Sequence, residues 1–432
     1  MRALALGTAL LLVACGDDAT PPPDAAPTAP AANPARGISA TELAFDVSTF
    51  AASAKLTFEP STAAGATLEV GDLVIDSITL DGAAVLSQAD TTRKTIDLGI
   101  DASEAPITVE IAFHYKNHPG FTGANANGFT LLWPYYCGNL FPCHSQPSDG
   151  TAMTLALTGV PAGKVAVYPT MITEAPSYQV AWSIDAYTEL PIGTTSAGTQ
   201  ISAWYRPTEL AAAQAGTANL VAAFNWFETT IGPYRFGNKV ATVSVKWGPG
   251  QYGGMEHHPM WHVSTSALGD EETNVHEAAH GWFGDGIRIE CWEDFVLSEG
   301  AVSYLAGRAL DVVAPTEGAG VWSGYATELS GIPGTAKVWP QSCNSIDILK
   351  DNLFSNAPYM RGAFFYRAVA LKVGATKLDE ALHSFYMAHA GKAAHMADML
   401  DTIKAVTGYD PTTCADMWLK STTKPTPNVA CP

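Results

Sequence analysis

The run His276-Glu277-Ala278-Ala279-His280 is the part of this chain most able to do chemistry. In a helix, residues four apart lie above one another on the same face, so His276 and His280 can offer two imidazoles to one metal ion while Glu277 stands at the edge of that face. The order H-E-x-x-H is the zinc-protease pattern. A zinc ion that activates water keeps three protein ligands and one open position, so a third donor must come from further along the chain. Glu299 fits, with eighteen residues, 281 to 298, between it and His280. Zinc lowers the pKa of a bound water towards about 7. Glu277, beside the ligands but not one of them, is then the general base, and the predicted cofactor is one Zn2+ per chain.

A solvated helix that carries two histidines by chance is the plain alternative, and the flanking residues speak against it. Gly281-Trp282-Phe283-Gly284-Asp285 follows the second histidine, Trp292-Glu293-Asp294-Phe295-Val296-Leu297-Ser298-Glu299-Gly300 surrounds the third donor, and Gly253-Gly254-Met255-Glu256-His257 lies upstream. Together they resemble the gluzincin aminopeptidases, the family of aminopeptidase N and leukotriene hydrolase, whose signature is G-x-M-E-N, then H-E-x-x-H, eighteen residues and E. The resemblance runs over roughly residues 40 to 425 and implies an α+β multidomain fold, with an N-terminal all-β saddle-like domain followed by a thermolysin-like, mainly helical zinc-peptidase domain. It also implies that Gly253, Gly254 and Met255 form an edge strand lining the substrate groove, and that Glu256 holds the terminal ammonium of a peptide with a free N-terminus. Tyr359, in Tyr359-Met360-Arg361-Gly362-Ala363 sixty residues after Glu299, matches the tyrosine that donates to the developing oxyanion. The large C-terminal helical domain of many relatives is not represented, which implies a more open cleft.

The sequence departs from the pattern in several places. Leu140 to Ser148 resembles the family's F-P-C-x-D-x-P segment, but Ser145 replaces the aspartate. Leu131 to Asn139 contains no Gln, where relatives use Gln or Glu to help hold the substrate amine. Ala306 stands where relatives place an acid that supports a ligating histidine, and Asp294 and Asp285 are the candidates to replace it. His257 takes the place of the family's Asn. With His258 and His262 it suggests a second metal site, yet no adjacent acid completes a ligand set, and ordinary surface histidines are the favoured reading.

The elements that must position these groups change character near Tyr205. From about Ser39 the pattern has period two, as in Ile107, Val109, Ile111 and Phe113 alternating with Thr108, Glu110 and Ala112, which predicts strands. Similar runs at Lys55–Phe58, Leu68–Ile78, Met153–Thr158, Val165–Pro169, Val180–Ile184 and Gln200–Trp204 predict an all-β domain over 39–205. Beyond it a domain over 206–432 is mainly helical. Glu209 to Ile231 reads as one long helix ended by Gly232, Lys239 to Lys246 as a short strand, and Phe364 to Pro425 as helices broken at Gly374 and Gly391. Asp270 is placed to cap the metal-binding helix, and Ser298 to cap a helix starting at Glu299.

Composition narrows the setting. The chain has 432 residues, 15% of them charged, and a formal charge of -19. Without a Lys/Arg cluster, nucleic-acid binding is not expected. Residues 1–15 carry one basic residue and a short apolar run, as signal peptides do. Leu12-Val13-Ala14-Cys15 resembles the bacterial lipobox, which implies a lipid on Cys15, a membrane anchor and an exported lipoprotein of the cell envelope. A plain secretory peptide is the alternative. Residues 16–38, rich in proline, alanine and aspartate, read as a disordered tether. The six cysteines left allow fifteen pairings, and the expected set is Cys137–Cys143, Cys291–Cys343 and Cys414–Cys431, the first and last because they close short loops.

The leading reading is a zinc-dependent aminopeptidase. Two others remain at this stage: a broader metallopeptidase with endopeptidase or glycyl-aminopeptidase-like activity, since G-G-L-E-H of the latter is close to Gly253–His257, and a catalytically silent envelope binding protein.

Overall fold

Period-two alternation builds the first domain. A computed structural model describes residues 29–247 and 252–432. The expected signal segment, Cys15 and most of the tether lie outside the described residues. Thr41, Leu43 and Phe45 on Ile38–Asp46, Ala54, Leu56 and Phe58 on Ala51–Phe58, and Val109, Ile111 and Phe113 on Ile107–His114 all point inward from one seven-stranded sheet. That sheet runs Met171–Ala175, Thr151–Thr158, Ile38–Asp46, Ala51–Phe58, Ile107–His114, Val74–Leu80, Ala83–Ala84, with the second and third strands parallel. Phe45, Phe113, Tyr115 and Trp182 cluster behind it in edge-to-face and tilted pairs, each burying surface worth about 1.5–3 kcal/mol.

Three expectations are corrected here. The run Leu68–Ile78 is two strands in different sheets, Ala66–Glu69 and Val74–Leu80, separated by a turn at Gly71. The tether does not reach residue 38. Arg36 is buried, its guanidinium donating to the carbonyls of Glu59, Gly65 and Asp101, so the last part of that stretch belongs to the β domain. Nor does the β domain end at Tyr205. Thr188–Thr194 and Gln200–Tyr205 pair onward with Lys239–Val245, Met260–Ser264 and the short edge strand Gly254–Met255 in a five-stranded sheet that carries the site, because the parallel ladder from Gln200 to Trp204 satisfies their backbones there.

The helices that follow are α1 (Leu210–Gly216), α2 (Leu220–Thr230), α3 (Glu271–Ala279), α4 (Ala301–Val313), α5 (Pro315–Gly331), α6 (Asn356–Val373), α7 (Ala375–His389) and α8 (Met396–Thr407). The single helix expected over Glu209–Ile231 is broken at Thr217–Asn219, where the Asn219 amide bonds Glu271 at the start of α3 instead of continuing the ladder. Among the described residues no helix is long and apolar enough to cross a membrane.

The three disulfides join Cys137 to Cys143, Cys291 to Cys343 and Cys414 to Cys431. Cys291–Cys343 ties the segment before Glu299 to the loop before α6. The same segment is clamped by buried Asp294, which accepts from His395 Nδ1 at 2.7 Å, the Met396 amide at 3.0 Å and Trp339 Nε1 at 3.3 Å. Burial works against the charge on His395, but the Asp294 hydrogen bond and charge outweigh it and raise the imidazole above its ordinary value. A raised folded-state pKa adds stability that is complete below about 6.5 and fades as pH rises through the folded value. His395→Gln should therefore cost more at pH 6 than at pH 8, by about 0.5 kcal/mol after solvent screening of the half-exposed imidazole. Urea midpoints of both proteins at the two pH values test this, and an equal cost at both would show that the pair does not titrate in this way.

Candidate metal centre and substrate cleft

Helix α3 is fixed before it presents any ligand. Buried Asn274 accepts from the Thr242 hydroxyl of the central strand at 2.8 Å and donates to the carbonyls of Leu268 and Asp270. Glu271 and Glu272 sit in its first turn, where carboxylates favour the helix dipole. Asp270 occupies the N-cap position, yet its side chain bonds the Thr273 hydroxyl rather than a backbone amide. At the far end, Trp282 is fully buried and donates to the Gly232 carbonyl.

From this helix His276 and His280 turn their Nε2 atoms to the Glu299 carboxylate, whose Oε2 lies 3.1 Å and 3.4 Å from them. All three residues are buried, and their donor atoms lie within 4.8 Å of one another. His280 Nδ1 donates to the Phe283 carbonyl at 3.1 Å, which leaves Nε2 as the free acceptor a metal needs. Two imidazole nitrogens and one carboxylate oxygen fit zinc.

Glu299 arrives differently from the expectation. Ser298 does not cap a helix, because Val296–Gly300 is a π-helical turn continuous with α4 and Ser298 lies inside it. A π-turn inserted in a helix often marks a functional site. Neither Asp285 nor Asp294 supports a ligating histidine. The former bonds Gln179 and the latter clamps His395, while His276 Nδ1 faces Glu272 at 3.8 Å.

Two close approaches complete the centre. Gly254 on the edge strand lies so near Glu277 that a Cβ there would stand 2.3 Å from Oε1. Gly300 and Gly362 let α6 cross the Glu299 turn, since a Cβ on Gly362 would meet the Gly300 Cα at 2.5 Å. That crossing brings Tyr359 against His276, the rings stacked at 5.9 Å. Burial, then the charges of Glu299 and Glu256, push the Tyr359 phenol well up, which keeps it a hydrogen-bond donor.

The cleft has a volume of about 550 Å³ and holds Glu256, Glu277, His276, His280, Glu299 and Tyr359 in its lining. Trp133, Tyr252 and Phe354 form an aromatic wall, with Trp133 and Phe354 4.2 Å apart. Glu277 Oε2 is buried without a partner. Burial and the neighbouring carboxylates Glu256 and Glu299 raise its pKa well above the usual range, and burial likewise raises Glu256. On Glu299 the effect of burial is outweighed by His280 and His276, which hold its pKa low.

Glu256, Glu277 and His280 also group within 4.8 Å. Behind Glu256 stands a contact the sequence did not signal. Gln179, from a short 3₁₀ turn of the β domain, donates to Asp285 at 2.7 Å and accepts from the His258 amide at 2.9 Å, and Tyr178 beside it is buried next to Glu256 and Asp285. Nothing in the periodicity marks these two residues. His257, His258 and His262 are buried core residues rather than surface ones, and burial lowers all three, His258 and His262 to about 3. His258 bonds the Tyr234 hydroxyl and the Glu277 carbonyl, so it braces α3.

A buried centre of two histidines and one glutamate, with a second glutamate between the histidines and a strand edging the cleft, defines a helix-borne metal site of the H-E-x-x-H class. Residues 225–418 match the model of the peptidase family M1 domain. Leucine aminopeptidase 2 of Saccharomyces cerevisiae is 23% identical over 331 residues, 68% of this chain and 46% of that one. Aminopeptidase N of Streptomyces lividans is 26% identical over 157 residues, 34% of this chain and 18% of that one. The chain thus spans less than half the length of these curated relatives. Among solved structures, an M1 zinc metallopeptidase of Deinococcus radiodurans shares the fold with a TM-score of 0.75 at 18% identity, covering 91% of this chain and 96% of the other. Yeast LTA4 hydrolase does so at 0.73 and 18%, covering 90% and 68%.

Gly254→Ala should cut turnover about 100-fold while leaving bound metal and melting temperature nearly unchanged, since the added methyl displaces Glu277 and no ligand. Steady-state rates beside metal content decide it; unaltered rates would mean that this close approach does not position the base.

Proposed function

We propose that this chain is a zinc-dependent aminopeptidase that removes N-terminal residues from peptides, with one zinc held by His276, His280 and Glu299. The observation that carries the reading is the placement of Glu256 beside Glu277 and His280, because a carboxylate there can receive a substrate's terminal ammonium within one residue's reach of the metal ligands. When bound, zinc polarises the scissile carbonyl and makes water acidic enough to attack at neutral pH. Glu277 takes the proton from that water and passes it to the leaving amine. Tyr359 donates its hydroxyl to the oxyanion that develops on the carbonyl. The aromatic wall shields one side of this chemistry from solvent.

The relatives support the reading. The two curated relatives named above are aminopeptidases, and a solved Deinococcus M1 zinc metallopeptidase mutant carries a Tyr-Ser-Ala substrate. Export on a lipid at Cys15 is part of the same proposal, and three disulfides suit an oxidising compartment.

Glu277→Gln should retain about one zinc per chain and lose at least about 1,000-fold in kcat, because it removes the base and keeps every ligand. Full activity in this variant would place the base elsewhere. For the unmodified protein, an aminoacyl amide should be cleaved about 100-fold faster than its N-acetylated form, since only the former carries the ammonium that Glu256 receives. Equal rates would sink the aminopeptidase reading in favour of internal cleavage.

A further inference from the structure

Charge is distributed unevenly along the cleft. Five carboxylates line it, Glu256, Glu272, Glu277, Glu299 and Glu328, and no lysine or arginine does so among the described residues. On the aminopeptidase reading the metal and the substrate ammonium accommodate Glu299, Glu277 and Glu256. Glu328 is left over, and so is the face of Glu272 turned to the cleft, since its carboxylate lies 3.8 Å from His276 Nδ1 and meets no cation.

Their position along the substrate follows from helix geometry. Glu272, His276 and His280 are spaced by four on α3, so they lie on one face over successive turns, about 6 Å apart along the axis. Glu256 groups with Glu277 and His280, which places the ammonium at the His280 end. Glu272 lies beyond His276 at the other end, about 12 Å from His280. A peptide advances about 3.5 Å per residue, so with its ammonium at Glu256 and its first bond over the ligands, the next side chain reaches towards Glu272.

That end of the cleft is built from several elements. Tyr325 of α5 donates its hydroxyl to Glu272, and Glu328, one turn along α5, accepts from Asn356 at the start of α6 at 3.3 Å. The nearby Lys424 ammonium is taken up by the carbonyls of Leu329 and Ser330 at the end of α5. A second observation, independent of the acids, also points to a ligand. Ser303, one turn after Glu299 on α4, lines the cleft with a fully buried hydroxyl that has no hydrogen-bond partner.

We propose that Glu272 and Glu328, with the Ser303 hydroxyl, form a subsite for a lysine or arginine side chain on the residue that follows the scissile bond. Peptides beginning Xaa-Arg or Xaa-Lys are then preferred over those beginning Xaa-Asp or Xaa-Glu. This inference rests on the aminopeptidase reading for its direction along the cleft. The cation supplies donors to two carboxylates and a hydroxyl, whereas a substrate carboxylate at the same place meets like charge.

The test is internal competition. Leu-Arg-Ala-Ala-amide, Leu-Ala-Ala-Ala-amide and Leu-Glu-Ala-Ala-amide are mixed in equal amounts with the zinc-loaded full chain, and the shortened products are counted by mass spectrometry. The ratios report relative kcat/KM whatever fraction of the protein is active. Arginine should exceed alanine by roughly 3- to 10-fold, and alanine should exceed glutamate by a similar factor. Glu272→Gln and Glu328→Gln should each lower the Arg:Glu ratio about 3- to 10-fold, and 0.5 M salt should narrow it in the unmodified protein. Equal consumption of the three peptides, or ratios unmoved in both variants, overturns the subsite. If no peptide is shortened, the aminopeptidase reading fails separately. The subsite is then read by calorimetric titration of the same peptides into zinc-loaded Glu277→Gln protein, where the arginine peptide must bind at least about 3-fold tighter than the glutamate peptide.

Discussion

Like charge held out of water is the constraint on which the rest of this structure depends. Glu256, Glu277 and Glu299 are buried in one small space with two histidines, and the cleft around them offers no fixed cation among the described residues. Two carboxylates about 4 Å apart repel by about 4 kcal/mol even at an effective dielectric near 20. Such a cluster persists only where the surrounding packing over-determines the positions of its members, and its chemistry is completed by a cation. The raised pKa of Glu277 and the unpartnered Oε2 are two signs of the same stress.

The chain meets the constraint by drawing each acid from a different element and locking each element separately. Helix α3 is held by Asn274 and Trp282, the π-turn of Glu299 by the Asp294 clamp and the Cys291–Cys343 bridge, and the edge strand of Glu256 by Gln179. Where two elements must approach more closely than side chains permit, glycine stands at the contact, as at Gly254 against Glu277 and at Gly300 against Gly362. The bridge between residues 291 and 343 closes a long loop and so restricts the unfolded chain as well as the folded site.

How much of this was legible in the sequence follows from the range of the interactions involved. The grouping of His276, His280 and Glu299 was legible because their spacing is local to one helix and one downstream turn, and the main strands because one face of each is buried. The π-turn was not, since Ser298 before Glu299 looks like a cap and only the helix that begins at Val296 shows otherwise. The domain boundary was misplaced because Gln200–Tyr205 alternates like any strand, and alternation does not say which sheet a strand joins. Glu272 carries no signal of its own; it reads as an N-terminal helix acid until α5 and α6 are seen beside it. The buried histidines looked like surface residues because nothing local announces that Tyr234, on a distant segment, comes to meet His258.

Gln179 and Tyr178 change how the two domains are to be understood. The β domain is not only a neighbour of the catalytic elements, for its short turn sits behind Glu256 and bonds the backbone of the segment that carries it. Arg288 makes the reciprocal contact, reaching from beyond α3 to the carbonyls of Ser148 and Glu174 in the β domain, and a side chain on Gly150 would collide with its guanidinium. The position of Glu256 relative to His276, His280 and Glu299 is therefore set by domain packing as much as by the local strand. On the aminopeptidase reading, the distance from ammonium to scissile bond is the quantity that makes one bond reactive, so the fit between the two domains is itself a determinant of where the substrate is cut.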